Sequence, residues 1–207
     1  MVRKFLHDNS LSLVLVSLFL GFWFAQAWSG FKLHNEEQED HGKPAMEFTS
    51  YLRSGHFWQA TGENWESEFL QMGAYVVLTT YLFQRGSAES NDPDKAEELR
   101  VKRKTSGASW IYRNSLSVAF LALFAISFAI HAAGGLVEFN EELAEHGKPA
   151  ASLGEFLGGA EFWFQSFQNW QSEFLAVLSI VVLSIFLRQN GSPESKDVSD
   201  SNLKTGG

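Results

Sequence analysis

Shifted against itself by 105 residues, the chain matches without a gap from Asn9 to the end of its last apolar stretch. Asn9-Ser10-Leu11-Ser12 falls on Asn114-Ser115-Leu116-Ser117, and Asn35-Glu36-Glu37 falls on Asn140-Glu141-Glu142. His41-Gly42-Lys43-Pro44-Ala45 recurs as His146-Gly147-Lys148-Pro149-Ala150, Phe57-Trp58 as Phe162-Trp163, and Asn64-Trp65 as Asn169-Trp170. Ser67-Glu68-Phe69-Leu70 returns as Ser172-Glu173-Phe174-Leu175. One constant offset over this length marks a tandem duplication, so the chain must build the same unit twice.

Each unit carries two apolar stretches. Leu11 to Trp28 is eighteen residues without a charge, about 27 Å as a helix and close to the hydrocarbon thickness of a bilayer. Leu116 to Val137 is similar. Phe69 to Phe83 and Phe174 to Leu187 are shorter, and they reach spanning length when their helices begin near Trp65 and Trp170, which then serve as interfacial anchors. The expected fold is an all-α membrane protein of four transmembrane helices, made of two parallel tandem two-helix repeats. An even number of spans per unit sets both copies the same way up, related by an axis along the membrane normal.

Basic residues set the orientation. Twelve of the 16 Lys and Arg lie in the N-terminus, the middle loop and the tail, and only Lys32, Lys43, Arg53 and Lys148 lie in the loops of about 29–64 and 138–170. This asymmetry places both termini in the cytoplasm and the two acidic loops outside, as a multi-pass membrane protein. Arg3, Lys4 and Ala25-Gln26-Ala27 also resemble a cleavable signal. The first helix is kept as a span because the second copy retains its counterpart. The expected organisation is a first repeat over 1–84, a flexible charged cytoplasmic linker over 85–109, a second repeat over 110–190 and a disordered tail over 191–207. Short amphipathic helices are expected in the outer loops, one of them started by a Ser152/Glu155 capping box.

The net charge of −8 argues against a nucleic-acid partner, and the absence of cysteine excludes thiolate metal sites and cysteine nucleophiles. In a helix running up to Gly42, Glu37 and His41 share a face, as do Glu142 and His146, and two such sets meeting across the axis are candidate metal ligands. The competing reading is a helix stop, with His in the last turn, Gly after it and Pro beyond. Glu68 and Glu173 mark the expected entry of the second helix of each unit. They are candidates for a polar site, or first-turn acids behind Asn64 and Asn169 as N-caps. Gln26 and His131 share one repeat position near the outer end of the first helix, and a histidine within an apolar span is a further polar-site candidate. No nucleotide-binding, nucleophile-elbow or zinc-protease motif is present, so no catalytic residue and no cofactor are expected.

The duplicated His-Gly-Lys-Pro-Ala (41–45, 146–150) and Asn-Trp-x-Ser-Glu-Phe (64–69, 169–174), with Arg-Asn-Ser-Leu-Ser at 113–117, carry a further indication. In these motifs the chain resembles a family of uncharacterised bacterial integral membrane proteins of unknown function. The resemblance implies a bacterial inner membrane and brings no activity or ligand. The resulting expectation is a non-enzymatic envelope or partner-binding protein with an acidic outer domain. The alternative is a small cation or proton transporter or channel using carboxylates at the pseudo-two-fold axis. The expected partners are the lipid bilayer and a protein partner or second copy.

Overall fold

The computed structural model describes residues 2–105 and 107–206. It is helical: α1 (Val2–Asp8), α2 (Ser10–Asp40), α3 (Phe48–Tyr51), α4 (Gly55–Tyr81), α5 (Ala96–Thr105), α6 (Trp110–Arg113), α7 (Ser115–Glu145), α8 (Leu153–Gly158) and α9 (Ala160–Phe186). Both α2 and α7 have 31 residues, and both α4 and α9 have 27. α2, α7 and α9 are long and apolar enough to cross a membrane, which points to a membrane-associated protein; α4 is not apolar enough. The apolar stretches of these three helices are almost wholly unburied within the chain, as expected of surfaces that face lipid.

The duplicated motifs have visible structural work. α2 and α7 end at His41 and His146, where Gly42 and Gly147 take φ values of 70° and 66° that a side chain disfavours. Lys43 N donates to the Gln38 carbonyl at 2.8 Å and Lys148 N to that of Leu143 at 2.9 Å, closing a Schellman turn in each copy. Asn35 then clasps the loop that follows α2: its Oδ1 accepts from Met46 N at 2.8 Å and its Nδ2 donates to Met46 O at 3.1 Å. Asn140 does the same with Ala151, at 2.7 and 3.2 Å. Trp58 and Trp163 donate to the carbonyls of Leu52 and Leu157. The expected capping box of Ser152 and Glu155 starts α8.

Two small clusters hold the buried apolar side chains, Ala27, Tyr51 and Phe57 in one copy and Ala132, Phe156 and Phe162 in the other. Each member lies 105 residues from its counterpart. Within a copy, bulky rings set the spacing of the long helices: Trp23 meets Phe57 at 6.0 Å and Trp65 at 5.6 Å, and Phe128 meets Phe162 at 5.3 Å. Between copies the spacing is set by glycine. A Cβ on Gly62 would lie 2.5 Å from His131 N, and one on Gly134 would lie 2.5 Å from Gln59 N, so α4 and α7 run in near backbone contact. Small residues permit such close approach between membrane helices. α4 also touches α9, but α2 and α9 show no pairing comparable to that of α4 with α7. The arrangement therefore departs from a strict two-fold, with α4 at its centre.

Three expectations change. The second helix of each unit begins at Gly55 and Ala160, about ten residues before Trp65 and Trp170, because Ser54 caps α4 by accepting from Phe57 N and nothing interrupts the run to Asn64. Asn64 and Asn169 are thus mid-helix residues rather than N-caps. The middle linker contains α5, whose first turn carries Glu97 and Glu98 and whose last carries Lys102, Arg103 and Lys104, the order that complements the helix dipole. The segment after α9, expected to be disordered, forms hydrogen-bonded turns. Gln189-x-Gly191-Ser192-x-Glu194-Ser195 repeats the turn of Gln84-x-Gly86-Ser87-x-Glu89-Ser90, with Ser195 and Ser90 hydroxyls accepting from Gln189 N and Gln84 N. Lys196 is buried, its ammonium donating to the carbonyls of Gly86, Ile185, Ser201, Asn202 and Lys204.

Candidate functional site

The close approach of α4 and α7 leaves no room for large side chains, and the groups beside the glycines are polar. Glu66 and His131 are both 0% exposed. His131 Nδ1 and Glu66 Oε2 stand 2.9 Å apart, and Trp170 Nε1 donates to Glu66 Oε1 at 3.0 Å. His131 Nε2 meets Gln165 Oε1 at 3.3 Å, and that oxygen also accepts from Gln59 Nε2 at 3.0 Å. The imidazole stacks on Phe162 with centroids 4.5 Å apart. Beside this set, Asn169 Nδ2 donates to Glu63 Oε1.

The partners fix the proton inventory. Gln165 Oε1 only accepts, so His131 Nε2 carries a hydrogen. A single proton then lies between Nδ1 and Oε2, on either atom, and the pair is neutral overall.

A second polar group caps the α4/α7 seam at the end near the α2 and α7 C-termini, beyond the apolar stretch that ends at Val137. Glu138 lies seven residues, about two turns, above His131 on α7. Burial, with Glu141, Glu37 and Glu145 nearby, pushes its carboxyl up to about 7, opposed by the His56 backbone N–H. The Tyr51 hydroxyl lies 3.0 Å from His56 Nδ1, and burial together with Glu138 and Glu37 raises Tyr51 to about 12. His56 is pushed down by burial and by His34, whose ring centroid is 5.2 Å away. Glu138 Oε2 and His34 Nδ1 are buried with no hydrogen-bond partner.

The residues singled out from sequence separate. His131 sits at the centre of the buried set. Its repeat counterpart Gln26 is half-buried and lines a lateral groove with Trp23, Trp65 and the exposed Glu68. Glu173 is half-buried, Gln71 donates to its backbone carbonyl at 2.9 Å, and Glu68 is near enough to act on it electrostatically. With α4 and α9 starting early, Glu68 and Glu173 are mid-helix carboxylates, not first-turn acids. His41 and His146 are exposed at the helix ends, each using Nδ1 on its own helix, on the Glu37 carbonyl at 2.7 Å and the Glu142 carbonyl at 2.9 Å. The two tips meet through a Lys43–Glu145 ion pair. Among the described residues no three His, Asp or Glu side chains converge to hold a metal ion.

The buried partner of His131 missed from sequence is Glu66. Identity between copies directed attention to Glu68/Glu173, whereas the buried pair arises where the copies differ. Position 26/131 reads Gln then His, and position 66/171 reads Glu then Gln. Complementary ionisable changes at two repeat positions were the available signal.

No curated protein and no solved structure shows a significant match to this chain. Residues 2–207 match DUF6766, a domain of unknown function, and the chain belongs to that family.

Proposed function

We propose that the chain is a four-span, non-enzymatic inner-membrane protein of two parallel repeats with cytoplasmic termini, and that the Glu66–His131 pair is a proton-binding site through which it moves protons or a coupled cation. The low hydropathy of α4 fits this topology, because its polar residues Thr61, Glu66, Ser67 and Gln71 are buried against other helices rather than turned to lipid. The observation that carries the reading is the pair itself, wholly buried and hydrogen-bonded. Ionisable groups inside apolar spans mark ion and proton paths by default.

A purely architectural role accounts less well for these residue types. The other copy carries Gln26 and Gln171 at the same repeat positions, so an uncharged amide suits the fold there. Glutamine at position 66 would keep the bond from Trp170 and offer an N–H to His131 Nδ1, while losing only the exchangeable proton. Toward the outside, Gln59 and Gln165 bridge from His131 toward the seam capped by Glu138, His56 and Tyr51. The acidic outer face, with Glu36, Glu37, Glu39 and Asp40 in one copy and Glu141, Glu142 and Glu145 in the other, supports attraction of cations or of a basic protein partner as a second role.

The test is proton flux into proteoliposomes carrying an internal pH dye, driven by a potassium-diffusion potential. Wild type should acidify the lumen faster than empty vesicles, and Glu66→Gln and His131→Gln should return the rate to the empty-vesicle baseline while the protein stays folded. Wild-type flux no faster than that baseline would overturn the transport reading and return the partner-binding reading to first place.

A further inference from the structure

A cleft lies at the opposite end from the Glu138 seam, where the C-terminal end of α4, α5, α6 and the start of α7 meet. Its volume is about 710 Å³. Lys102, Arg103 and Arg113 line it together with Trp110, and Val76 and Leu116 form part of its wall; among the described residues no carboxylate lines it. This is notable in a chain with a net charge of −8.

The guanidinium groups are positioned without being neutralised. Arg103 donates to the Thr80 carbonyl at the end of α4 and lies over the Tyr81 ring, 5.0 Å from its centroid. Arg113 Nη1 donates to the Arg103 carbonyl at 3.1 Å. Neither is paired with a carboxylate among the described residues, although Arg85 and Arg100 nearby are, with Asp94 and Glu97. Each guanidinium keeps further N–H donors for an anion.

Depth identifies the kind of anion. The cleft sits where the apolar stretches 69–83 and 116–137 end, the level at which headgroups lie, and Trp110 and Tyr81 are residues favoured at that level. A free phosphate needs the cations alone. An apolar wall continuous with the bilayer serves an acyl chain as well.

We propose that this cleft binds one anionic phospholipid, its phosphate held by Arg103 and Arg113 and its chain lying along Val76 and Leu116. The inference rests on the chain spanning the membrane but not on the proton-site reading, and its test measures lipid rather than flux.

The experiment is native mass spectrometry of the full chain released from bilayers of phosphatidylcholine mixed with phosphatidylglycerol. Wild type should retain one phosphatidylglycerol in preference to phosphatidylcholine. Arg103→Gln/Arg113→Gln should lower that preference roughly thirtyfold, from about 1 kcal/mol per basic residue near the surface. Arg3→Gln/Lys4→Gln should leave it unchanged. Equal retention of the two lipids, an equal loss in the terminal control, or displacement by inorganic phosphate as effective as by phosphatidylglycerol would each overturn the proposal. If the double variant fails to assemble, Arg113→Gln alone decides, with an expected loss of roughly fivefold.

Discussion

Replacing Gly62 by alanine adds one methyl group at the tightest point between the two repeats. That Cβ would stand 2.5 Å from His131 N, 2.8 Å from His131 Cα and 3.0 Å from Ile130 C, all backbone atoms that cannot rotate away. Ordinary contact begins at 3.4 Å, so α4 and α7 must separate by 3.4 − 2.5, or 0.9 Å. The same displacement stretches the 2.9 Å contact of His131 Nδ1 with Glu66 Oε2 to about 3.8 Å, beyond hydrogen-bond range. Overpacking costs about 2 kcal/mol and the lost bond about 2 more, against up to ~1 gained in helix propensity, for a net loss of about 3 kcal/mol. Gly21→Ala is the control, since a Cβ there meets nothing within 4 Å and gains only the propensity. Unfolding in dodecylmaltoside micelles by added dodecyl sulfate, followed by tryptophan fluorescence, measures both. In a Glu66→Leu/His131→Phe background the penalty at Gly62 should shrink by the hydrogen-bond share, since the two sites are coupled. A Gly62→Ala protein as stable as Gly21→Ala would refute the near contact of the two repeats and with it the geometry of the buried pair.

Three other outcomes are expected. Because the sequence lacks cysteine, single cysteines at 45, 95, 150 and 204 report topology cleanly. Those at 95 and 204 should react with impermeant maleimide from one side and those at 45 and 150 from the other, and labelling of 95 together with 45 would refute four spans. Glu138 has a folded-state pKa of about 7, above its ordinary 4.5. The folded state therefore binds the extra proton between these values, and stability is greatest below 4.5 and declines as pH rises through 7. The decline should be on the order of 1–2 kcal/mol after solvent screening. Glu138→Gln should flatten that slope in the same unfolding assay, and an unchanged slope would remove Glu138 as its source. Lys196→Met leaves five carbonyls without their donor and should cost about 2 kcal/mol locally. Proteolysis within 189–206 should accelerate while α9 stays protected, and an unchanged cleavage rate would show that Lys196 does not hold these turns in place.

Periodic and local features were legible in the sequence. The helix stops at His41-Gly42 and His146-Gly147, the Ser152 box and the long apolar helices rest on interactions within a few residues, and a one-dimensional pattern records those. The start of α4 was hidden because residues 55–64 are too polar to extend an apolar stretch, although nothing in them breaks a helix. The buried site was hidden for a different reason. Glu66 and His131 are 65 residues apart and meet only because Gly62 lets two backbones touch. Residues shared by the copies, such as Asn35/Asn140 and Trp58/Trp163, serve the common fold. A site that needs an acid on one side and a base on the other is built from positions at which the copies disagree.

The ammonium of Lys196 resembles a dehydrated potassium ion in its surroundings, ringed by main-chain oxygens, with the Asp200 carboxylate near enough to act on it electrostatically. Unlike a dissolved ion it is covalently attached, so it cannot be exchanged or diluted away. Exposed pairs such as Arg85–Asp94 weaken as added salt screens them, whereas a charge shielded from solvent by its own ligands is screened far less. The knot that joins the turn at Gly86, the end of α9 and the C-terminal turns thus behaves as a salt-resistant fastening, closed by a cation that the chain carries as part of itself.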